Sequence, residues 1–158
     1  MKKIILISIS SIILVLIILF VIVNYMTSES NPNFQQVLKQ VEKENPGTVA
    51  PSSVDISLIP MYGGFSKTNQ QKRTDQEFID TVMKSFDSRE LASDYTITKA
   101  REVFEKGDLN TAMRRYNQAW LLNESNPDVY IGFGDIYKAN GYQTESNTMY
   151  ELAEKYKQ

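Results

Sequence analysis

The sequence contains neither cysteine nor histidine. Without cysteine it can form no disulfide, offer no thiolate nucleophile and carry no lipid on a thiol. Without histidine it loses the side chain that most often performs general acid–base catalysis at neutral pH, and a zinc site would depend on carboxylates alone. Phosphate-binding loops, nucleophile elbows and metal-ligand spacings are missing as well. We therefore expect a protein that is not an enzyme and has no catalytic residues, cofactor or metal site.

Clustered positive charge is also scarce. Lys and Arg number 17 against 19 Asp and Glu, which gives a formal net charge of −2. The nearest approach to a basic cluster is Lys72 and Arg73, and Asp75 and Glu77 follow closely. Nucleic-acid binding depends on a basic patch or stripe. The sequence therefore argues against a nucleic-acid partner.

One long segment has no charge at all. Residues 4–23, from Ile4 to Val23, are almost all Ile, Leu, Val or Phe. A helix of about 20 residues spans about 30 Å, the thickness of the hydrocarbon core of a bilayer. Lys2 and Lys3 favour a cytoplasmic N-terminus. The pattern predicts a single-pass transmembrane signal-anchor over residues 1–26, which contacts the bilayer and displays the remainder outside the cytoplasm.

The alternative interpretation is a cleaved secretory signal peptide. Such a peptide typically has an apolar region of about 7–15 residues and an Ala-x-Ala-like cleavage site, and here the apolar run is longer and that site is missing. Cleavage would leave a secreted or periplasmic protein. Both interpretations export the remainder of the chain.

Residues 27–67 are predicted to form a linker. Its first part has apolar residues at helical spacing, which predicts a short amphipathic helix near residues 34–44: Phe34, Val37, Leu38 and Val41. This helix would lie on the bilayer or a partner, or it would form a stalk that packs on its own domain. The part after Pro46 is rich in Pro, Ser and Gly and predicts an extended connector. Residues 61–65, Met-Tyr-Gly-Gly-Phe, form a binding loop or tuck against the neighbouring domain.

The rest of the chain, residues 68–158, has helical periodicity. A first helix over residues 69–86 is expected to act as an N-terminal cap on the later helices. After it, equivalent residues recur 34 positions apart, which is the period of the tetratricopeptide repeat: Gly107 and Gly141, Ala112 and Ser146, Tyr116 and Tyr150, Ala119 and Ala153. Behind Asn126 and Pro127, which suit a helix start, four residues match the repeat's three–one–three spacing: Tyr130, Phe133, Gly134 and Tyr137.

Residues 93–157 thus resemble the tetratricopeptide repeat family, with repeats at about 93–126 and 127–158. The first repeat departs from the pattern, because Thr96 and Lys99 stand where a Trp-like and a Leu-like residue are usual. Residues 60–79 also resemble the lead-in of small bacterial envelope proteins that carry such repeats. The resemblance implies an all-α fold, in which an N-terminal transmembrane helix and a linker precede stacked helical hairpins in an α-α superhelix.

The resemblance also implies a function, because tetratricopeptide stacks hold peptides or partner proteins in a concave groove lined by the first helix of each pair. The family register assigns Ile97, Arg101 and Phe104 of the first repeat to this groove. It assigns four residues of the second repeat as well: Asp128, Ile131, Asp135 and Lys138. This mixture of apolar and charged residues would suit a peptide or helix with apolar anchors and polar edges.

Two functions fit these features. The first is an adaptor or scaffold on the extracytoplasmic side of a membrane that binds an unidentified protein partner. The second is a self-associating structural protein of the cell envelope, which would form homo-oligomers through the groove or through the predicted helix near residues 34–44. The size in solution of a fragment from Thr27 onward would distinguish a monomer from an oligomer.

The repeat register makes a prediction about stability. Tyr116 is expected in the core, so the substitution Tyr116→Ala should lower the free energy of unfolding by about 3–5 kcal/mol, as large aromatic-to-alanine core changes do. A urea titration followed by circular dichroism measures this difference. A loss of less than about 1 kcal/mol would mean that Tyr116 is not buried and that the register is wrong.

Overall fold

The computed structural model describes residues 32–41 and 47–157, and this part of the chain contains six α-helices. They are α1 (Pro32–Val41), α2 (Asn69–Val82), α3 (Arg89–Phe104), α4 (Leu109–Leu122), α5 (Pro127–Ala139) and α6 (Gln143–Tyr156). Two short 3₁₀ turns, Ile56–Leu58 and Pro60–Gly64, precede α2. Between these described residues the β pairing is one isolated bridge that joins Val49 and Ser66. The all-α class is therefore confirmed.

The predicted transmembrane segment, residues 4–23, lies outside the described residues. Among the helices that the structure does describe, none combines the length and the apolar character that crossing a bilayer requires.

Polar side chains fix where the helices begin. Thr68 and Gln71 form a reciprocal capping box at the start of α2. Ser88 and Asp108 accept hydrogen bonds from backbone N–H groups in the first turns of α3 and α4. Asn126 does the same for α5, where Pro127 occupies the first position. These oxygens satisfy donors that have no partner within the helix.

Glycines make the tight turns inside the two helical hairpins. Gly107 ends the turn after α3 with φ 83°, and Gly141 ends the turn after α5 with φ 81°. This left-handed conformation is unfavourable for other residues, which is why glycine is the usual residue just beyond a helix C-terminus. The chain thus forms the hairpins α3–α4 and α5–α6, and α5 packs against both helices of the first hairpin.

Close packing onto α5 determines how the helices approach one another. A Cβ atom added to Gly132 would lie less than 3.0 Å from the ring of Tyr116, and one added to Gly134 would lie less than 3.0 Å from carbons of the Tyr150 ring. Tyr116 is only 1% exposed, so it lies in the core as its position in the repeat predicts. Burial raises the pKa of Tyr116 to about 12. The aromatic and small residues of the repeat are therefore packing partners.

Residues 47–67, which we call the strap, correct the prediction of an extended connector. Instead of spanning open solvent, the strap buries five apolar side chains together with Val37 of α1 in a second hydrophobic cluster. These five are Val54, Ile56, Leu58, Ile59 and Phe65. Met61 and Tyr62 have φ of 53° and 55°, a left-handed conformation that is strained for residues with side chains. Residues 61–65 thus tuck against the domain.

The strap is joined to α4 by polar contacts. The buried Asn117 donates from Nδ2 to the carbonyl oxygens of Ser57 at 2.9 Å and Ile59 at 2.8 Å. Arg114 donates from Nη2 to Asp55 at 3.0 Å and from Nε to Ser57 Oγ at 3.1 Å. Composition did not reveal these contacts, because they depend on side chains about 60 residues further along the chain.

Helix α1 packs on its own domain, as one of the two interpretations of this segment proposed. Phe34 is 2% exposed, and its ring makes edge contacts with Tyr137 and Tyr142 at centroid distances of 5.6 and 5.7 Å. Val37, one turn later, belongs to the strap cluster. Since both side chains are buried within the chain, they are not available to a bilayer or to a second copy.

Helix α2 covers the first hairpin only loosely. It ends at Val82, four residues before the predicted end at Phe86, because the chain turns there before the new cap at Ser88. None of its residues is buried, although Phe78, Ile79 and Val82 are partly covered. The helix contacts α4 but does not complete the core as the predicted capping helix would.

The strap predicts an unequal effect of two neighbouring substitutions. Asn117→Ala should lower the free energy of unfolding by about 1–3 kcal/mol, because it removes the buried donor for two strap carbonyls. Arg114→Ala should cost less than about 1 kcal/mol, because its ion pair with Asp55 is exposed to solvent. Urea unfolding of the full chain, kept in mild detergent, measures both. Equal losses would contradict the role given to Asn117.

Candidate protein-binding surface

The predicted groove residues lie on α3 and α5, the first helices of the two hairpins. An ion pair crosses between these helices: Arg101 Nη2 donates to Asp128 Oδ2 at 2.8 Å. Both side chains keep almost half of their surface exposed, at 49% and 46%. The structure therefore brings Arg101 and Asp128 together on one accessible surface, which we call the concave surface.

A second polar contact between the repeats lies beside this pair and was missed by the sequence reasoning. Asn126 donates from Nδ2 to Asp94 Oδ1 at 2.7 Å and to Ser93 Oγ at 3.3 Å. Its Oδ1 simultaneously accepts from the backbone of Asp128 as a helix cap. Asn126 is 8% exposed, so this contact fixes the relative position of α3 and α5. The sequence identified Asn126 as a cap but gave no signal for its second role.

The apolar part of the concave surface consists of Phe104 on α3 and Ile131 on α5. Both side chains are partly buried and pack against the main hydrophobic core while retaining an exposed fraction. Partial exposure is what an apolar anchor site requires, since the uncovered part can be removed from water by a ligand.

The charged residues Asp135 and Lys138 of α5 differ in how far their side chains are exposed to solvent. Asp135 is partly buried and accepts a hydrogen bond from the Tyr150 hydroxyl at 2.7 Å. The pKa of Tyr150 is raised above its ordinary value, mainly by burial and to a smaller extent by this hydrogen bond. Lys138, one turn further along the helix, is exposed. Asp135 therefore helps to hold α6 in place, and Lys138 presents its charge to solvent.

The placement of Ile97 in the groove is wrong. Its side chain is 2% exposed and belongs to the main core, together with Val129 and Phe133 of the second repeat. The physical reason is that α5 packs against α3 as well as against α4, so the residue that the family register places in the groove is covered. The concave surface is thus reduced to Arg101, Phe104, Asp128, Ile131, Asp135 and Lys138.

The described residues contain no group of three or more acidic, histidine or cysteine side chains arranged to hold a metal ion. The contacts on the concave surface are ion pairs, hydrogen bonds and apolar packing.

Comparison with known families identifies the fold. Residues 100–141 match the family model described as TPR repeat, the tetratricopeptide repeat. No curated protein and no solved structure matched the chain. The match runs from the second half of α3 to the turn after α5, so it begins just after Thr96 and Lys99, where the sequence departs from the pattern.

The chain therefore contains a tetratricopeptide repeat within residues 100–141. This repeat is a protein–protein interaction module, and the family is generally non-catalytic.

The two inter-repeat contacts predict different costs. Arg101→Gln should lower the free energy of unfolding by less than about 1 kcal/mol, because the pair with Asp128 is exposed. Asn126→Ala should cost about 1–3 kcal/mol, because it removes a helix cap and the hydrogen bonds from Asn126 Nδ2 to Asp94 and Ser93. Thermal unfolding of the two variants compares them directly. If Arg101→Gln proved the more damaging, the pair would be a structural element and not a free part of the surface.

Proposed function

We propose that the concave surface binds a short peptide or helix of a partner protein, so that the chain acts as an adaptor or scaffold. The observation that supports this most is the half-exposed Arg101–Asp128 pair beside the partly exposed Phe104 and Ile131. A ligand with an apolar anchor can cover the two apolar side chains. Its polar edge can exchange hydrogen bonds with charges that contribute little to folding.

The size of the surface limits the size of the ligand. Helix α5 has 13 residues and is about 20 Å long. The matching length is a helix of about three to four turns, or an extended peptide of about six residues. A two-repeat surface of this kind favours recognition of one short segment over binding of a whole domain.

The location of the module is the second part of the proposal. The uncharged residues 4–23, with Lys2 and Lys3 before them, support a membrane anchor whose C-terminal side lies outside the cytoplasm. Residues 24–31 then separate the anchor from α1, which begins at Pro32. Eight residues span at most about 30 Å. The domain would stay close to the bilayer surface, where its partners would be other proteins of the envelope.

A photoreactive amino acid placed at Ile131 tests the proposal in intact cells. We expect irradiation to link the chain to a second protein of different mass, because Ile131 is a partly exposed apolar residue of the concave surface. Glu154, exposed on α6, is the matched control position and should give no such product.

Two other results of the cross-linking experiment would contradict the proposal. A product that contains two copies of the chain would contradict the adaptor proposal and support the self-associating structural protein. The absence of any product specific to Ile131 would also contradict the proposed use of this surface. The location is tested separately with a C-terminal tag and an external protease. The layers outside the cytoplasmic membrane are made permeable while that membrane stays intact. A tag that the protease does not cleave would contradict extracytoplasmic display.

A further inference from the structure

A second surface lies away from the concave surface, where α2 crosses the first hairpin. Here a groove of about 330 Å³ opens between α2, α3 and α4. The groove has four apolar or aromatic lining residues, and its two charged lining residues are cations: Phe78, Val82, Phe86 and Tyr95, with Lys99 and Arg115. The other residues of its lining are uncharged and polar. We call it the α2 groove. Its volume is at the lower end of the range of pockets that hold ligands.

The α2 groove exists because the first repeat departs from the family pattern. Thr96 and Lys99 stand 34 residues before Tyr130 and Phe133, whose rings are 2% and 0% exposed and fill the equivalent space in the second repeat. Thr96 donates its hydroxyl back to the Ala92 carbonyl at 2.7 Å, and Lys99 reaches outward to Glu102 at 2.7 Å. Neither side chain fills the space that two aromatic rings fill one repeat later.

Helix α2 does not close the space either. No residue of α2 is buried, so its apolar side chains line the groove without filling it. Tyr95 remains 52% exposed although its ring centroid is 5.3 Å from that of Phe86. Leu91, one turn earlier on α3, is 53% exposed. Apolar surface of this kind at a stack end is normally covered by another element.

The charge of the groove indicates what would cover it. Both charged residues of its lining are cations. Lys99 is paired with Glu102, whereas Arg115 Nε is buried and has no hydrogen-bond partner among residues 32–41 and 47–157. A buried donor without a partner is rare in folded proteins, and an acceptor on a ligand can satisfy it once the guanidinium turns toward the groove.

We infer that the α2 groove binds a peptide segment of a partner protein in which an aromatic side chain lies next to a carboxylate. The aromatic ring would occupy the space that Tyr130 and Phe133 fill in the second repeat. The carboxylate would accept a hydrogen bond from Arg115 Nε, which residues 32–41 and 47–157 leave without a hydrogen-bond partner. This site is separate from the concave surface and does not depend on it.

The test uses the full chain in mild detergent, labelled with ¹⁵N, and a tripeptide Glu-Trp-Glu that is acetylated and amidated at its ends. We expect the Arg115 Nε–H signal and the backbone signals of Tyr95 and Lys99 to shift on addition of this peptide. Two control peptides, Lys-Trp-Lys and Glu-Ala-Glu, remove the charge match and the ring in turn. Both should bind more weakly by roughly tenfold or more.

Three variants of the full chain complete the test. Arg115→Gln should weaken binding of Glu-Trp-Glu by roughly tenfold or more, since it removes the charge-assisted hydrogen bond. Thr96→Trp, which restores the family residue and fills the groove, should abolish binding. Lys106→Gln, an exposed cation outside the groove, should leave the affinity within about twofold and serves as the matched control.

Several outcomes would overturn the inference. They are equal binding of the three peptides, no loss of affinity in Arg115→Gln, no binding of Glu-Trp-Glu at millimolar concentration, and shifts confined to Ile131 and Lys138. Arg101→Gln separates the two surfaces: if it alone abolished binding, the peptide would occupy the concave surface and not the α2 groove. Arg115→Gln also tests the inference if Thr96→Trp fails to fold.

Discussion

The packing of two tyrosine rings onto glycines of α5 is the contact on which the rest of the domain depends. Tyr116 from the first repeat lies against Gly132, and Tyr150 from the second lies against Gly134. Because neither glycine has a side chain, α5 can approach both neighbouring helices closely. This approach places Asp128 and Ile131 beside α3, where the concave surface forms. The surface is therefore a consequence of core packing, together with the hydrogen bonds by which Asn126 holds α5 to α3.

The sequence predicts much of this arrangement because the repeat reports packing directly. The 34-residue spacing identifies Tyr116 and Tyr150 as equivalent, and the structure buries Tyr116 beside a glycine in α5. Helix starts are predictable for a local reason, since caps such as Ser88 and Asn126 act within a few residues. The same register fails for Ile97. Whether that side chain is exposed depends on how far α5 overlaps α3, and no local pattern encodes this distance.

The strap is the part that sequence reasoning could not predict. Its Pro, Ser and Gly content is typical of a connector, and its apolar residues form no long periodic stretch. Its order comes from Asn117, which hydrogen-bonds the carbonyls of Ser57 and Ile59, and from the burial of Phe65. These are long-range contacts. The anchor over residues 4–23 stays a prediction, as does the extracytoplasmic location that depends on it.

The strap also has a consequence for the limits of the folding unit. A fragment trimmed to the recognisable repeats, for example one starting at Asn69, would strip α4 of its covering and leave the amide of Asn117 without either carbonyl acceptor. It would also lose Phe34 from beneath Tyr137 and Tyr142. Recombinant fragments for binding or crystallisation should accordingly start upstream of Pro32. The part of the chain that is needed for folding is therefore larger than the repeat motif recognised in the sequence.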